Sequence, residues 1–546
     1  MLDDKQQSVK GLVKDFAANS SMHGWPKAAE SKGNFRRFMW IILTLIGSGI
    51  AIQHVAKIII LYNQWPLSTV VTIENNNKLD FPAVTICNMN PAKRSTLKSK
   101  VEELGFHDLV DLINIADERR KEEENSEEEE EVVEEENDEE NTADFYEALT
   151  AEYNIESAFI SVIGAMNTTD RQMIGHAIED MLIACTYEGR PCSARNFTSF
   201  YNFKYGNCYT FNGNPDISPR KLETKKPGPR YGLTMELYIQ ETEYSEFLAD
   251  TLGAKILVHH QGSMPFPEDD GVSISPGMST SVGLSQVILE RSKPPHGRCK
   301  SYTEEHNKEI NVFAEFNNVS YSEKACMKTC YQKNVIKECK CCHFDFPCDG
   351  QALDEVLVDI TETPVRRCNE TIDGSCLDMV LKEYELEHLD CIDICVPSCS
   401  EIVFTTDIST GTWPSKPLIT RTVNKVKNVY KKKNITTDIF DELEDTGDML
   451  KFLRRNVLKV EMFYKQLNYE RITATPAYDW SSLLSDLGGQ AGLWVGFSIL
   501  TAVEMLELLF EIVKLLGRKM LGTGRVEDIN KVNMVQVQPI KSSDKC

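Results

Sequence analysis

The 546-residue chain carries a net charge of -24, from 83 acidic against 59 basic residues. That balance excludes nucleic acid as a partner and argues against broad binding to anionic lipid. Of its 17 cysteines all but Cys546 fall between Cys87 and Cys399, which indicates one oxidised compartment between two reduced ends.

Residues 1–37 are hydrophilic, show no signal-peptide pattern, and include Lys27, Lys32, Arg36 and Arg37 just before an apolar run at 38–61. The positive-inside rule then places the N-terminus in the cytoplasm. Gln53, His54 and Lys57 interrupt the outer half of this first span. They either face a partner helix or vestibule, or snorkel towards the outer interface.

FPAVTICNMNP (81–91) reads as a short strand closed by a turn. A helical segment at 98–116 precedes an acidic tract at about 117–141, which is too polar to bury a core. The tract reads as a solvated insertion, or as a reservoir of negative potential that draws in cations and basic ligands. Helical periodicity returns at 144–182. The aromatic run Phe197, Phe200, Tyr201, Phe203 and Tyr205 then serves either core packing or ligand contact. GNCYTFN (206–212) follows, and residues 230–300 alternate in the manner of strands, so a β-rich scaffold is expected.

Cysteines are densest at 299–399. Cys326/Cys330 and Cys391/Cys395/Cys399 recur at a spacing of four, with Cys339, Cys341, Cys342, His343 and Cys348 between them. The central cluster has the chemistry of a zinc site, but outside the cell disulfides are favoured and a stapled column is expected. The sequons at Asn167, Asn196, Asn318, Asn369 and Asn434 mark glycan acceptors on an extracellular segment.

The chain is organised around 478–514, YDWSSLLSDLGGQAGLWVGFSILTAVEMLELLFEIVK. Its apolar zone, 491–516, is long enough to cross a bilayer, which takes ~20 residues. Lys514, Arg518, Lys519 and Arg525 accompany its end, so the C-terminus is also expected in the cytoplasm. Two spans then leave 62–480 outside, with 481–516 as pre-pore and second span and 517–546 as a cytoplasmic tail. As one continuous helix, the stretch would gather Ser485, Gly489, Gly492, Gly496 and Glu507 within an arc of roughly 60°. Glu504 and Glu507 are expensive in lipid and should face a protein interior or a water-filled path. A small-residue face ending in carboxylates reads as a cation pathway; the alternative is a close-packed helix pair. No nucleophile–base pair or metal signature stands out, so no enzyme, catalytic residue or metal ligand is expected.

Together FPAVTICN, GNCYTFN, the cysteine column and SDLGGQAGLWVGFSILTAVE resemble the degenerin/epithelial sodium channel superfamily, from His23-Gly24 to about Glu511. The resemblance implies an α+β membrane protein of the plasma membrane: a trimer of two-span subunits whose second helices line a sodium-selective pore. Its ectodomain would hold a β-sheet palm, a β-ball and helical finger, thumb (about 299–399) and knuckle regions. Gly496-Phe497-Ser498 would form the selectivity belt, a departure because the middle residue is usually small. Ser485 and Asp486, with Gly489 and Gly492, would form the gate; Glu504 and Glu507 would concentrate cations below the belt. His23-Gly24 would form a re-entrant segment under the pore. The implied disulfides are Cys87–Cys208, Cys185–Cys192, Cys299–Cys399, Cys326–Cys395, Cys330–Cys391, Cys339–Cys376 and Cys341–Cys368, with Cys342–Cys348 as an extra pair.

Gating is a separate question. The segment WPLSTVVTIENNNKLD (65–80) contains no histidine, which counts against acid gating. There is no furin-like site in the finger and no PPxY motif in the tail, features expected of epithelial-type subunits. The branch most resembled is that of the FMRFamide-activated channels. The expected partners are an amidated neuropeptide, sodium ions, amiloride-type blockers, the lipid bilayer and two further copies of the chain; no cofactor is expected beyond permeant sodium and N-linked glycans. A proton-gated or constitutively open channel is the alternative, and a two-span adhesion or receptor protein a more distant one. No ligand-binding residue is assigned.

Overall fold

The computed structural model describes residues 9–520 apart from 108, 112, 115–157, 161, 165, 214–221, 246, 318, 349, 358–364 and 433–444. The chain divides into two compact units, 1–67 with 476–546, and 68–475. The acidic tract, Asn318, Asn434 and Cys546 lie outside the described residues.

The first unit opens with α1 (Val9–Asn19), α2 (Trp25–Glu30) and α3 (Asn34–Asn63). Among the described residues α3 is the one helix long and apolar enough by itself to cross a membrane. Only Ala51 on it is buried, as suits a helix whose apolar surface is offered to lipid or to other helices.

The second unit is built on two main sheets, and Leu79–Asp80 pairs with Glu223–Thr224 in a third, two-stranded one. Its strands are β1 (Leu67–Asn75), β2 (Ala83–Asn88), β3 (Leu182–Tyr187), β4 (Phe197–Asn202), β5 (Gly206–Phe211), β6 (Leu233–Tyr238), β7 (Ala254–His259), β8 (Val272–Ile274), β9 (Met278–Glu290), β10 (Ser400–Thr412) and β11 (Val457–Pro476). The larger sheet runs β10-β9-β11-β6-β3 and ends on the short strand Arg190–Pro191, with β1 also paired to β11. The smaller runs β8-β7-β2-β5-β4. Burial alternates from 458 to 464 along β11, the period-two signature of a strand with one face inward. Every residue of β2 and β5 is buried. Side chains from both sheets meet in one core, where the fully buried Phe81 makes edge-on contacts with Tyr187, Phe211 and Tyr464.

Helices flank these sheets. A helical cluster pools Leu97 and Val101 of α4 (Arg94–Glu103) with Phe159, Ile163 and Ile174, the last on α5 (Thr168–Ile174). The helix predicted at 98–116 thus begins earlier and is already interrupted after Glu103. The helical pattern at 144–182 yields to β3 at Leu182, where β3 pairs with β6 and its side chains join the sheet core. Two longer helices further along the chain are α6 (Glu323–Cys339) and α7 (Glu370–Glu385). Helices α8 (Ile419–Lys432) and α9 (Thr446–Asn456) close over Tyr238 and Val457.

Eight disulfides staple this unit. Cys87–Cys208 joins directly paired residues of β2 and β5, and Cys185–Cys192 closes a short loop after β3. Cys326–Cys395 and Cys330–Cys391 fix one face of α6, and Cys339–Cys376 ties it to α7. Cys299–Cys399, Cys341–Cys368 and Cys342–Cys348 complete the set. The sulfurs weighed for zinc are therefore all held in disulfides: Cys342 with Cys348, and Cys339 and Cys341 with Cys376 and Cys368.

The first unit resumes with α10 (Trp480–Val495) and α11 (Ile499–Met520). The second apolar stretch is thus two helices, and the single continuous arc from Ser485 to Glu507 does not form.

Candidate functional site

The break between α10 and α11 falls at Gly496-Phe497-Ser498, and local chemistry dictates it. Gly496 adopts the left-handed conformation, φ 69°, a geometry that ends helices and that residues with a Cβ rarely accept. Its N–H donates to Gly492 O at 3.0 Å, and Phe497 N–H donates to Ala491 O at 3.1 Å. Ser498 then caps the next helix: Thr501 N–H donates to Ser498 Oγ at 3.2 Å, while Ser498 N–H donates to Thr501 Oγ1 at 3.1 Å. This reciprocal pairing is a capping box with threonine in the third position. The Phe497 side chain lines an apolar cleft with Ala502, Met505, Leu506 and Leu509 of α11.

The N-terminal segment reaches the same place. His23 N–H donates to Val495 O at 2.8 Å, and a Cβ added to Gly496 would lie 2.6 Å from His23 Cγ. Gly24 has φ 85°, and a Cβ there would stand 2.3 Å from Thr44 Oγ1 on α3. Both glycines of this contact are needed for their conformation and for the room they leave.

Ser485, Asp486 and Gly489 are exposed on α10, and Gly492 is half-buried. A Cβ on Gly489 would meet nothing within 4 Å, so that side of the helix is open within the single chain. Asp486 Oδ2 accepts from Tyr478 Oη at 2.6 Å, which pushes the phenol up to about 12. Asp479 caps α10 by accepting from Ser482 N at 2.8 Å; with Ser481 also donating to it, its carboxyl is drawn down to about 2.

The carboxylates Glu504 and Glu507 of α11 differ. Glu507 is exposed, whereas Glu504 is half-buried and accepts hydrogen bonds from Ser20 and Ser21. On α3 His54 approaches Trp494, 6.2 Å between centroids, while Gln53 and Lys57 are exposed.

In the second unit the aromatic run is engaged in packing. Tyr201 and Phe203 stand 5.1 and 5.2 Å from the buried guanidinium of Arg171, Phe197 packs on Phe211, and Tyr205 joins the Cys87–Cys208 cluster. A cavity of about 1500 Å³ is lined by the rings of Tyr302, Tyr321, Tyr331 and Phe346. Near it Lys324 pairs with Asp270, and Lys328 with Glu268 at 2.9 Å. Burial drives His176, His259 and His343 down to about 4. Arg471 on β11 bridges Glu74 of β1 and Glu290 of β9, and Tyr469 also donates to Glu74. The guanidinium holds the Glu74 carboxyl below its ordinary range. Sequence reasoning missed Ser20, Ser21, Arg171 and Arg471, whose partners lie far away along the chain.

Asn167, Asn196 and Asn369 are exposed. Asn167 caps α5 by accepting from Asp170 N at 2.8 Å, and Asn196 accepts from Ser193 N at 2.9 Å.

Comparison with known proteins gives a consistent family. The family model described as amiloride-sensitive sodium channel matches residues 16–508. The epithelial sodium channel subunit gamma of Pelodiscus sinensis is 28% identical over 92% of this chain and 80% of its own length. Subunit beta of Xenopus laevis is 26% identical over 95% and 86%, and subunit gamma of Rattus norvegicus 27% over 92% and 82%. A solved proton-activated chloride channel aligns with a TM-score of 0.28 at 7% identity, covering 87% of this chain and 96% of that one, a likeness too slight to inform the fold. With more than half its length matched, the chain belongs to the amiloride-sensitive sodium channel family.

Proposed function

We propose that the chain is a pore-forming subunit of a sodium-selective, amiloride-sensitive channel of the plasma membrane, opened by an extracellular amidated neuropeptide of the FMRFamide type. The observation that carries the pore is the helix break at Gly496–Ser498, on which His23-Gly24 is seated. Broken helices in membranes are tolerated where irregular backbone lines a cavity, and their freed carbonyls suit the dehydration of a cation. In this proposal α3 and the α10–α11 pair span the bilayer with both termini in the cytoplasm, and three copies place their breaks around one axis. The glycines of α10 and the exposed Glu507 face that axis. Phe497 lines the apolar cleft beside α11, and in this proposal its ring stays in that cleft and out of the pathway.

For gating, the ligand occupies the 1500 Å³ cavity of the second unit, which is roomier than the ~300–1,000 Å³ of ordinary small-molecule sites and suits a short peptide. Its tyrosines offer faces to aromatic side chains, and a peptide guanidinium would compete with Lys324 and Lys328 for Asp270 and Glu268. Binding shifts the population towards the open state if that exchange is better satisfied there. Acid gating is disfavoured by two observations. The three buried histidines stay neutral until about pH 4, and Arg471 holds the Glu74 carboxyl below its ordinary range. Glycans on Asn167, Asn196 and Asn369 would project from exposed positions.

A second reading is favoured by the similar relatives, which are described as gamma and beta subunits. In it the chain works beside different subunits of the same family. Voltage clamp of cells expressing the chain alone, with RFamide-type peptides, acid and amiloride, separates these. Peptide-evoked, amiloride-blocked sodium current supports the proposal. Current appearing only with a second subunit favours the heteromer. Acid-evoked current overturns the peptide assignment.

A further inference from the structure

We propose that Ser21, supported by Ser20, is a positioning residue for ion selection: it fastens the N-terminal turn to α11 and so fixes the geometry of the Gly496–Ser498 break. The inference rests on the proposal that this break is the channel's constriction.

Glu504 lies half-buried in a helix assigned to the membrane, where a carboxylate needs donors. Three come from one turn of the N-terminal segment and converge on a single oxygen. Ser21 N–H donates to Glu504 Oε2 at 3.1 Å, Ser21 Oγ at 3.3 Å and Ser20 Oγ at 3.4 Å. Ser20 is itself 6% exposed, so its hydroxyl has little access to water. Ser21 also touches the break. Its Oγ lies 2.6 Å from Oγ1 of Thr501, a residue with no solvent exposure. Thr501 Oγ1 in turn accepts Ser498 N–H at 3.1 Å and meets Ser498 Oγ at the same distance.

Each hydroxyl has one proton and two lone pairs. One direction of donation uses every proton: Ser498 N–H and O–H to Thr501, Thr501 O–H to Ser21, and Ser21 O–H to Glu504. The chain ends on a charge, which polarises each bond behind it. Position of the Ser498 peptide, and with it the carbonyls of the break, is thereby referred to the N-terminal segment. Glu504 acts as the anchor of this chain, and the exposed Glu507 is the carboxylate left to attract cations.

The test is the Na+/K+ permeability ratio of the full-length channel from reversal potentials under ion substitution. Ser21→Ala should lower the ratio by about fivefold, the order set by losing one hydrogen bond. Ser21→Thr should restore it, and Ser21→Ala should add nothing on a Thr501→Val background, because the chain is already cut there. If Ser21→Ala fails to reach the surface, Ser21→Cys keeps the volume while weakening the bond, and the same fall is expected. A conducting channel whose ratio is unchanged by these substitutions, or in which the Ser21 and Thr501 effects add in full, overturns the inference alone. Silence of the wild-type channel under every stimulus and partner overturns the functional proposal, and this inference with it.

Discussion

Replacing Gly496 with alanine tests whether the helix break and the N-terminal turn form one device. Two costs arise at the same atom. The left-handed conformation at φ 69° costs a residue with a Cβ ~1–2 kcal/mol. The new methyl also lies 2.6 and 2.7 Å from His23 Cγ and Cδ2, closer than carbon atoms approach without displacement. Relief requires either the helix end or the His23 turn to move, and the His23 N–H to Val495 O bond goes with the latter. That bond contributes ~1 kcal/mol. A combined penalty of about 2–3 kcal/mol corresponds to a fall of roughly 30- to 150-fold in occupancy of the intact arrangement. The assay is whole-cell sodium current normalised to surface protein by biotinylation. Gly496→Ala should lose current at normal surface density. Adding His23→Ala should recover only part of it, because His23 N stands 2.8 Å from the same methyl and the left-handed strain persists. Full activity of Gly496→Ala, or two losses that simply multiply, would refute the contact.

Three further predictions concern other parts of the chain. Arg471→Met removes the cation between Glu74 and Glu290, whose like charges then raise each other's pKa. In the wild type the lowered Glu74 pKa contributes stability that is present above the unfolded value of ~4.3 and lost as pH falls through the folded value. The variant should therefore be less stable than wild type near neutral pH, and the gap should narrow as pH falls below the ordinary carboxylate value of ~4.3, as measured by thermal melting in detergent; a pH-independent difference would count against it. Cys330→Ser removes a bridge nested inside Cys326–Cys395, so the loop it closes is effectively about ten residues rather than the full separation of 61. The expected loss is ~2–3 kcal/mol, with weakened agonist response at normal surface expression; an unchanged dose–response curve would sink this link between column and gate. Ser485→Trp places bulk on the open face of α10 and should produce sodium current without agonist, a result absent from a protein whose helices only anchor it.

Much of the architecture was legible because it rests on local pattern. The apolar run at 38–61 became α3, and the buried run around Ala83–Asn88 became β2. The second apolar stretch misled, since its hydropathy is continuous while its backbone is not. Hydropathy carries no information on φ, but Gly496 followed two residues later by a serine with a threonine three beyond was a readable stop-and-cap signal. The site's remaining members were hidden for a different reason. Ser21 and Glu504 are 483 positions apart, and Arg471 and Glu74 397; no periodicity links such pairs. Tyr201 and Phe203 had both packing and ligand contact open to them until Arg171 was found against their rings.

The central claim, that the open face of α10 lines a conduction path, is tested most directly by thiol accessibility. Sixteen cysteines are paired in disulfides, so a charged, membrane-impermeant methanethiosulfonate applied outside should leave wild-type current unchanged. Cysteine at Ser485 or Gly489 should make the current rapidly blockable, while cysteine at the buried Leu483 should not. Rapid block at all three positions, or at none, would contradict a pore lined by this face.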